Sequence, residues 1–352
     1  DAKDEPTDTQ NGRIYEKCSK CGEEINEELI VALNTVNFPD ANILALMEPY
    51  NTDGEAGLSV DEIAAITILQ TEEDELIASV KGIEYLTALE QVMIMNASSL
   101  NKIDVTNNTA LNTIALPGAA ITDIDVSNCP NLQMLMLSNA TNLGSLDISN
   151  NAELNYLYID NTDVKELDAS GKDKMTYLIA TGSSLGSINL NGCTSLQSLQ
   201  ISDTELTSLD ISTCTALYEI DAQNLSVSAL DATGCQELRT INIDGSEVTE
   251  INLTGLDNLD MLKANRTNIT ELDMTEVTDT LTTLEMADSK LEKIMWPTNG
   301  TKAALSRINI SGTAMTSVLF NGIFDSLQSI TCGGDRIESF SFISRDSSSL
   351  SS

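Results

Sequence analysis

A leucine register that recurs about every 21 residues from Leu89 onward constrains the fold of this chain more than any other feature. The clearest copy runs from Leu196 to Ser212 and reads LQSLQISDTELTSLDIS. The first residues of the successive units are Leu89, Leu111, Leu132, Leu154, Met175, Leu196, Leu217, Leu238, Leu259, Leu281, Leu305 and Leu327. One such unit is too small to bury its own apolar face, whereas a stack of units shares a continuous core. The period therefore predicts a solenoid, and solenoids of this kind usually serve as binding surfaces.

Composition narrows the classes of function. The chain has 352 residues and no histidine, so the usual general base and the commonest transition-metal ligand are absent. We expect no enzyme, although a hydrolase that uses only carboxylates such as Asp160, Asp221 and Asp244 stays open as an alternative. The formal net charge of −36 opposes binding to nucleic acid or to an anionic membrane. It favours cations and basic partners, or it simply keeps a long solenoid soluble.

The sequence also bears on location. No apolar run approaches the roughly 20 residues that a membrane helix needs, so direct insertion into a membrane is not expected. The chain starts at Asp1 without a methionine, as expected of a secreted or surface-anchored protein whose signal peptide has been removed. Residues 1–22 are largely polar and predict a flexible tether ahead of the folded array. We expect a monomer.

Residues 23–88 lack the repeat, and their apolar spacing predicts a helical N-terminal cap over the open end of the first coil. Two short amphipathic helices are expected within Ile25–Leu33 and Ile43–Met47. A third is expected over Ser59–Ile66, because its first four residues, SVDE, form a capping box.

The array itself covers residues 89–326, and each unit has little room for a convex helix. A short second strand is therefore expected on the side opposite the first. Residues 327–352 predict the last strand, with Phe340 and Phe342, followed by a C-terminal cap or tail.

The segment between the second and third predicted helices approximates a calcium-binding loop. Its candidate ligand positions are Asn51, Asp53, Glu55, Gly57, Ser59 and Glu62. The glycine falls one place later than the template requires, and Glu62 is hard to use both as a bidentate ligand and as a helix-capping partner. Two interpretations stay open: a calcium site, as the one cofactor of the chain, or a vestigial turn.

The cysteines fall into two sets. Cys129, Cys193, Cys214 and Cys235 share one repeat position, which predicts a column of buried thiols, and Cys332 is expected in the core as well. The pair in Cys18-Ser-Lys-Cys21 is half of a zinc knuckle or a redox motif, and without a second pair or a histidine it predicts a local disulfide or reduced thiols.

The units, written Leu-x-x-Leu-x-Ile-x-x-Thr-x-Leu, resemble those of leucine-rich repeat proteins, with Thr or Ser at the usual asparagine. Their second half, LTSLDIS at 206–212, is similar to the 21-residue subtype of bacterial surface proteins, known from internalin-like adhesins and secreted proteins of gut bacteria. Residues 37–43 and 81–89 are similar to the cap of those proteins. The resemblance spans roughly residues 37–345. It implies a leucine-rich repeat solenoid of the α/β horseshoe class, mostly β, with a small helical cap and a binding role.

Strand alternation turns the leucines inward and leaves the third and fifth positions of each unit exposed on the concave sheet. The candidate ligand-binding residues are Met134, Met136, Tyr156, Tyr158, Tyr177, Ile179, Tyr218, Glu219 and Asp221. Exposed Tyr and Met beside a charged rim are typical of a binding site. Aromatic pairs between strands that merely stabilise the sheet are the alternative interpretation.

The function predicted from these features is non-catalytic recognition or adhesion, with a protein or glycan bound on the concave face at a bacterial cell surface. A structural spacer or self-assembling surface protein is the alternative.

Aspartate also recurs at one position of the second strand, from Asp104 to Asp273. We expect each of these aspartate side chains to bond to the nearby backbone and so to close the turn of its own coil. A row of weak cation sites is the alternative interpretation.

Overall fold

The first half of each repeat forms a three-residue strand with a buried middle residue. In the strand Tyr156–Tyr158, Leu157 is fully buried and both tyrosines are half-exposed. The same pattern recurs in strands of other repeats. The predicted two-residue alternation is therefore confirmed, and it places the leucines and isoleucines in the core.

The computed structural model describes residues 38–343, apart from 53, 55–57, 73–75, 278–279, 297–303, 322–325 and 334–336. It also describes the backbone of residues 2–4, 12–17 and 24–30. The chain forms two compact units, Asp1–Asn151 and Ala152–Ser352. The predicted Cys18 and Cys21 pair lies outside the described residues.

The first unit contains two sheets and a few short helices. Its strands are β1 (Ala2–Asp4), β2 (Gly12–Lys17), β3 (Glu24–Ile30), β4 (Ile68–Gln70), β5 (Gln91–Met93), β6 (Thr113–Ala115) and β7 (Met134–Met136). Strands β1, β2 and β3 pair antiparallel, and β4 to β7 pair parallel in chain order. The helices are α1 (Ala41–Met47) and α2 (Val60–Ile63), with 3-10 turns at Glu48–Tyr50 and Ile83–Tyr85.

Helix α1 confirms the second predicted helix, and its cap explains its position. Asp40 accepts hydrogen bonds from the backbone N–H groups of Asn42 and Ile43 with one oxygen. Its other oxygen accepts from Ala78 and Ser79, so one carboxylate ties the helix to a distant loop. Burial opposes ionisation of Asp40, but these four hydrogen bonds outweigh it and hold its pKa below the ordinary value.

Two expectations for the N-terminal region are wrong, and a third holds only in part. Residues within the expected helix Ile25–Leu33 form strand β3, and β1 and β2 lie in the expected flexible tether. An isolated short helix is marginal in water, whereas an antiparallel partner supplies backbone hydrogen bonds to a strand. The third helix ends at Ile63 rather than Ile66, because its last turn tightens to bonds between residues three apart.

The second unit consists of coils that contribute to a long parallel sheet and to shorter strand pairs. Its strands are β8 (Tyr156–Tyr158), β9 (Glu166–Asp168), β10 (Tyr177–Ile179), β11 (Ser187–Asn189), β12 (Ser198–Gln200), β13 (Glu219–Asp221), β14 (Ala229–Asp231), β15 (Thr240–Asn242), β16 (Glu250–Asn252), β17 (Met261–Lys263), β18 (Glu271–Asp273), β19 (Thr283–Glu285), β20 (Lys293–Met295), β21 (Arg307–Asn309), β22 (Ser317–Asn321), β23 (Ser329–Thr331) and β24 (Ser339–Ile343).

The long sheet runs through β8, β10, β12, β13, β15, β17, β19, β21 and β23 with neighbouring strands in register. The short second strands pair as β9 with β11, β14 with β16, β18 with β20 and β22 with β24. The expected second strand is thus confirmed in these coils of the second unit. Phe340 and Phe342 lie in β24, as predicted for the last strand.

A column of buried hydroxyls follows most strands of the long sheet and bonds to the backbone of the turn there. In most coils the hydroxyl donates to the carbonyl three residues earlier, at 2.6–2.9 Å, as in Thr162, Ser183, Thr204, Thr267, Ser289 and Thr313. Ser246 differs because the preceding coil has Leu225 in this column. Its hydroxyl donates to Ala222 O at 2.7 Å and accepts from Leu225 N at 3.1 Å, so it serves the coil before its own.

The predicted thiol column is confirmed. Cys129, Cys193, Cys214 and Cys235 are free and fully buried. The thiols of Cys193 and Cys235 donate to the carbonyls of Ala169 and Ile211 in the preceding coils, at 3.2 and 3.3 Å. Burial raises the pKa of Cys193 to about 11 and that of Cys214 to about 12. These thiols are therefore packing groups, whereas Cys332, expected in the core, is only half-buried.

Candidate functional site

The outward residues of the long sheet in the second unit form one surface, which we call the long-sheet face. In-register parallel pairing stacks residues of equal repeat position about 4.8 Å apart. Two columns result. The third-position column begins Tyr156, Tyr177, Ser198, Glu219, Thr240 and Met261, and the fifth-position column begins Tyr158, Ile179, Gln200, Asp221, Asn242 and Lys263.

A stacked pair of tyrosines lies at the start of the third-position column. The ring centroids of Tyr156 and Tyr177 are 5.4 Å apart, and the ring planes differ by 13°. One face of the Tyr177 ring lies against Tyr156, and the residue in register on the next strand is Ser198, which is buried. Tyr177 is 37% exposed. The pair therefore presents an aromatic surface to solvent.

Tyr158 joins this pair. Burial raises its pKa, and the neighbouring phenols of Tyr156 and Tyr177 raise it further. Tyr156, Tyr158 and Tyr177 thus form one group, which we call the tyrosine cluster. Ile179 lies in register with Tyr158 and is half-buried. The structure therefore brings together four of the predicted ligand-binding residues.

Met134 and Met136 belong to the first unit. They flank the buried Leu135 on β7, and both are half-buried on its outward side. Their strand pairs with β6, where Thr113 and Ala115 are the residues in register. Their predicted place beside the tyrosines, which lie in the second unit, stays a prediction.

Asp221 is held by its neighbours. Its Oδ1 accepts a hydrogen bond from Ser202 Oγ at 2.7 Å and another from Gln223 Nε2 at 2.9 Å. Ser202 Oγ in turn accepts from the backbone N–H of Gln223 at 2.9 Å. Our sequence reasoning selected Asp221 and missed Ser202 and Gln223. Both lie two residues beyond the end of a strand, so the same alternation continued past the strand would have found them.

Tyr218 lies one residue before the strand Glu219–Asp221 and is 49% exposed. The Arg239 guanidinium lies over its ring, with Cζ 5.4 Å from the centroid. Arg239 belongs to the following coil, so this contact joins two neighbouring coils. Arg239 was expected in the charged rim of the site, but its contact with Tyr218, one repeat earlier, was not predicted. Glu219 is half-buried and lies in register with Ser198 and Thr240.

Two of the carboxylates considered for a hydrolase, Asp160 and Asp244, are too far apart along the sheet to form an acid–base pair. Asp160 and Asp244 occupy the same repeat position four strands apart. That separation is about 19 Å at the usual strand spacing, beyond the roughly 5–10 Å of a glycosidase pair. Asp244 accepts from the backbone and side-chain nitrogens of Asn265 at 2.8 and 3.0 Å. Asp221 and Asp244 therefore act as hydrogen-bond acceptors on the sheet surface.

The calcium-like loop is described only in part. Glu62 accepts from the backbone and hydroxyl of Ser59 with one oxygen and from those of Thr52 with the other. These bonds lower the pKa of Glu62 to about 2. The capping box is thus confirmed. Of the other candidate ligands, Asn51 and Ser59 are described, and Asp53, Glu55 and Gly57 are not, so calcium binding stays a prediction.

The aspartates of the second strand close their own coils. In both units the side chain accepts a hydrogen bond from the backbone N–H two residues on, at 2.8–3.1 Å. Asn189 and Asn252 do the same in the coils that lack the aspartate. The structural interpretation is confirmed. Among the described residues, three or more Asp, Glu, Cys or His side chains nowhere converge as a metal site would require.

No protein-family model matches the chain, and no curated protein matches its sequence. In the part of the chain that is described, none of the helices has the length and apolar character needed to cross a membrane.

Solved structures are informative about the fold. The functional domain of InlJ from Listeria monocytogenes, which includes a cysteine ladder, is similar over 84% of this chain and 69% of its own, with 22% identity and a TM-score of 0.67. A leucine-rich repeat protein of Leptospira interrogans is similar over 80% of this chain and 87% of its own, with 15% identity and a TM-score of 0.59. With the parallel coils described above, these similarities show that the chain has the leucine-rich repeat fold predicted from its sequence.

Proposed function

We propose that this chain is a non-catalytic recognition module at a bacterial cell surface, and that it binds a protein or a glycan on a concave long-sheet face. The observation that carries the proposal is the tyrosine cluster. Three phenols gather on neighbouring strands of a solenoid, where solvent-facing positions are free to be polar. Large, rigid aromatic groups of this kind supply contact area at low entropic cost and are enriched in binding sites.

The fold supports the same conclusion. A solenoid presents an extended surface built from many short strands, and its function resides in the outward side chains rather than in a cleft. The carboxylates of the long-sheet face are held as hydrogen-bond acceptors, with Asp221 as the clearest case. Such a surface suits recognition better than acid–base chemistry.

A binding screen tests the proposal. The immobilised protein is presented with extracellular-matrix proteins, mucins and polysaccharides, beside a variant with Tyr156→Ala, Tyr158→Ala and Tyr177→Ala. A matched control carries Thr240→Ala, Met261→Ala and Thr283→Ala, which change the third-position column farther along the same sheet. We expect binding that the tyrosine variant loses and the control keeps. Equal binding by all three proteins, or none by any, contradicts the proposal.

Self-assembly is the second candidate, and the last coil favours it. Leu327 and Ile330 are half-buried there, whereas the corresponding Leu305 and Ile308 of the preceding coil are buried. Association through this end covers these side chains and the edge of β23. It predicts a concentration-dependent oligomer in light scattering, one that Ile330→Asp reduces and the tyrosine variant does not.

A further inference from the structure

Aromatic side chains and uncompensated negative charge occur in the same coils of the long-sheet face. In four successive coils we take the residue before each strand, the strand itself and the three residues after it, and we call these segments the acidic half. They are residues 155–161, 176–182, 197–203 and 218–224. They contain neither lysine nor arginine, and their carboxylates are Asp160, Asp203, Glu219 and Asp221. They also contain the tyrosines of the second unit, Tyr156, Tyr158, Tyr177 and Tyr218.

The next four coils differ in both respects. Their corresponding segments, which we call the balanced half, are residues 239–245, 260–266, 282–288 and 306–312. The carboxylates Asp244, Asp260, Glu285 and Asp288 are matched there by the cations Arg239, Lys263, Arg266 and Arg307. None of these segments contains an aromatic residue. Charge and aromatic character therefore change together along one sheet, which a general need for solubility does not explain.

Two carboxylates of the acidic half are held in place by neutral groups. Asp221 accepts hydrogen bonds from Ser202 and Gln223 with its Oδ1. Asp203 accepts from Nδ2 of Asn224, one coil further on, at 2.7 Å. Among the described residues, neither of these two carboxylates forms an ion pair within the chain. Their negative charge is therefore available to a partner at fixed positions, which lowers the entropic cost of binding.

A contact on this face shows which cation suits its tyrosines. The guanidinium of Arg239, from the first coil of the balanced half, lies over the ring of Tyr218, with Cζ 5.4 Å from the centroid. A guanidinium is planar, so it stacks on aromatic rings and also bonds to a carboxylate through two parallel N–H groups. Arginine therefore matches both kinds of side chain that the acidic half combines. Tyr177, which is 37% exposed, is accessible to such a group.

We propose that the acidic half docks a protein whose binding surface carries arginine and lysine side chains. This rests on the proposed function, whose partner class it specifies. Cations of the partner pair with Asp203, Glu219 and Asp221 and lie against the tyrosine cluster. The net charge of −36 attracts such a partner from a distance, and the acidic half determines where it docks. A neutral glycan gains nothing from the excess negative charge of these coils, and an acidic glycan is repelled by it.

Fluorescence anisotropy with labelled octa-arginine, octa-lysine and octa-glutamate tests the proposal on the whole chain, at about 0.15 M salt, where distant charges are screened. An acidic-half variant carries Asp203→Asn, Glu219→Gln and Asp221→Asn, which keep the hydrogen-bonding oxygens and remove three charges. The matched control removes three charges from the balanced half, with Asp260→Asn, Glu285→Gln and Asp288→Asn. Asp203 and Asp288 both have a positive φ, at +59° and +57°, and Glu219 and Glu285 are both half-buried.

We expect octa-arginine to bind and octa-glutamate not to bind. The acidic-half variant should bind octa-arginine about tenfold more weakly than the wild type, since three surface ion pairs together contribute about that much. The control variant has the same net charge, and it should lose less than about threefold, because its substitutions lie farther from the site than the screening length. Equal losses in the two variants would mean that the peptide senses only the total charge, and they would overturn the inference.

Octa-lysine provides a second readout. It should bind more weakly than octa-arginine, because an ammonium group lacks the planar stacking surface of a guanidinium, and the difference should shrink in the tyrosine variant. If the tyrosine variant keeps the full preference for arginine, the inference is overturned. A glycan or a protein without basic residues that binds through the tyrosine cluster, while octa-arginine does not bind, would overturn this inference and leave the proposed function standing. Absence of any tyrosine-dependent ligand would overturn both.

Discussion

The two sides of the coils in the second unit differ in how much they vary from one repeat to the next. On the short-strand side one position is Asp or Asn in six successive coils, namely Asp168, Asn189, Asp210, Asp231, Asn252 and Asp273, and the next coil has Met295 there. On the long-sheet face the third position changes in almost every coil, through Tyr, Ser, Glu, Thr, Met and Arg. The same backbone therefore imposes a residue type on one side and leaves the other free.

The hydrogen bonds explain this difference. A short-strand aspartate bonds to the backbone of its own turn, so each of these six coils has an acceptor of the same length at the same place. A long-sheet residue extends from a strand whose backbone bonds are already satisfied by the neighbouring strands. Its identity is then set by what it meets outside the sheet. A repeat position that keeps its residue type from coil to coil therefore has a structural role. A position that varies belongs to the surface that can confer specificity.

The largest expected effect concerns a turn on the constant side. A Cβ at Gly234 would lie 2.9 Å from the carbonyl oxygen of Ser212, at a φ of +97°. We expect Gly234→Ala to lower the free energy of unfolding by about 3 kcal/mol, from the clash and the left-handed backbone together. Gly255 occupies the same position in the next coil, at a φ of +76° with nothing within 4 Å of its Cβ. Gly255→Ala should cost only about 1 kcal/mol. Urea unfolding followed by circular dichroism compares them, and equal losses would refute the assignment of the clash.

A smaller loss of stability is expected in the column of buried hydroxyls, where Ser246 and Ser289 make different hydrogen bonds. Ser246→Ala removes the partner of two backbone groups in the preceding coil, Ala222 O and Leu225 N. Ser289→Ala removes one bond within its own coil, to Met286 O. We expect losses of about 2 and about 1 kcal/mol in unfolding free energy, because buried groups left without partners are destabilising. A larger loss for Ser289→Ala would show that the number of hydrogen bonds does not determine how much each serine stabilises the fold.

The short-strand aspartates should give an effect that depends on pH. The hydrogen bonds from the hydroxyl and backbone N–H of Ser212 lower the pKa of Asp210. The contribution of Asp210 to the free energy of unfolding is therefore present above its unfolded-state pKa, near 3.9. It is lost as the pH falls through the lower pKa of the folded state. We expect Asp210→Ala to lower the free energy of unfolding by about 1 kcal/mol at pH 7. Asp210→Asn should be almost neutral there, because Asn189 and Asn252 already make this turn.

Acid titration then separates the two substitutions. Between pH 5 and pH 2 the Asn variant should lose less stability than the wild type, since it has one fewer carboxylate to protonate. Thermal melts across this range measure the difference. An Asn variant with the same acid profile as the wild type would mean that Asp210 does not titrate as its hydrogen bonds indicate.

The short-strand side and the core, whose residue types recur from coil to coil, are also the parts that the sequence predicted well. The repeat period fixes which residues stack, so the solenoid, the buried thiols and the aspartate turns follow from position alone. The variable side was predicted only in outline. The outward positions of Tyr156 and Tyr177 follow from alternation, but the contact of Arg239 with Tyr218 depends on side-chain rotamers that no period specifies.

Outside the repeats, sequence patterns were less reliable for a different physical reason. Residues 24–30 have helical apolar spacing, yet they pair with β2 as a strand. Tertiary pairing overrides a weak local preference when the segment is short. The helix at Ala41–Met47 was predicted from similar spacing and does form, because Asp40 caps it and joins it to the loop at Ala78 and Ser79. Local pattern and tertiary bonds agree in one segment and conflict in the other.

The smallest effect on stability is expected on the variable side, at the stacked tyrosines. Tyr156→Ala and Tyr177→Ala should each lower the free energy of unfolding by about 0.5–1 kcal/mol, because aromatic pairs between strands contribute about that much. The double variant in a thermodynamic cycle gives the coupling of the two rings. Tyr177→Phe is the matched control, since it keeps the stacking surface and removes only the hydroxyl.

The cycle decides between the two interpretations of this pair. If the rings exist to stabilise the sheet, their coupling should reach about 0.5–1.5 kcal/mol, the range for aromatic pairs, and binding should survive in any variant that still folds. If they exist to bind, the coupling should be small, and the loss in Tyr177→Ala should appear in affinity rather than in stability. A small coupling with a loss of affinity requires that Tyr177, on the long-sheet face, be nearly dispensable for folding. The partial exposure of Tyr177, 37%, supports it, because contacts that stabilise a fold are largely buried, whereas contacts available to a ligand are exposed.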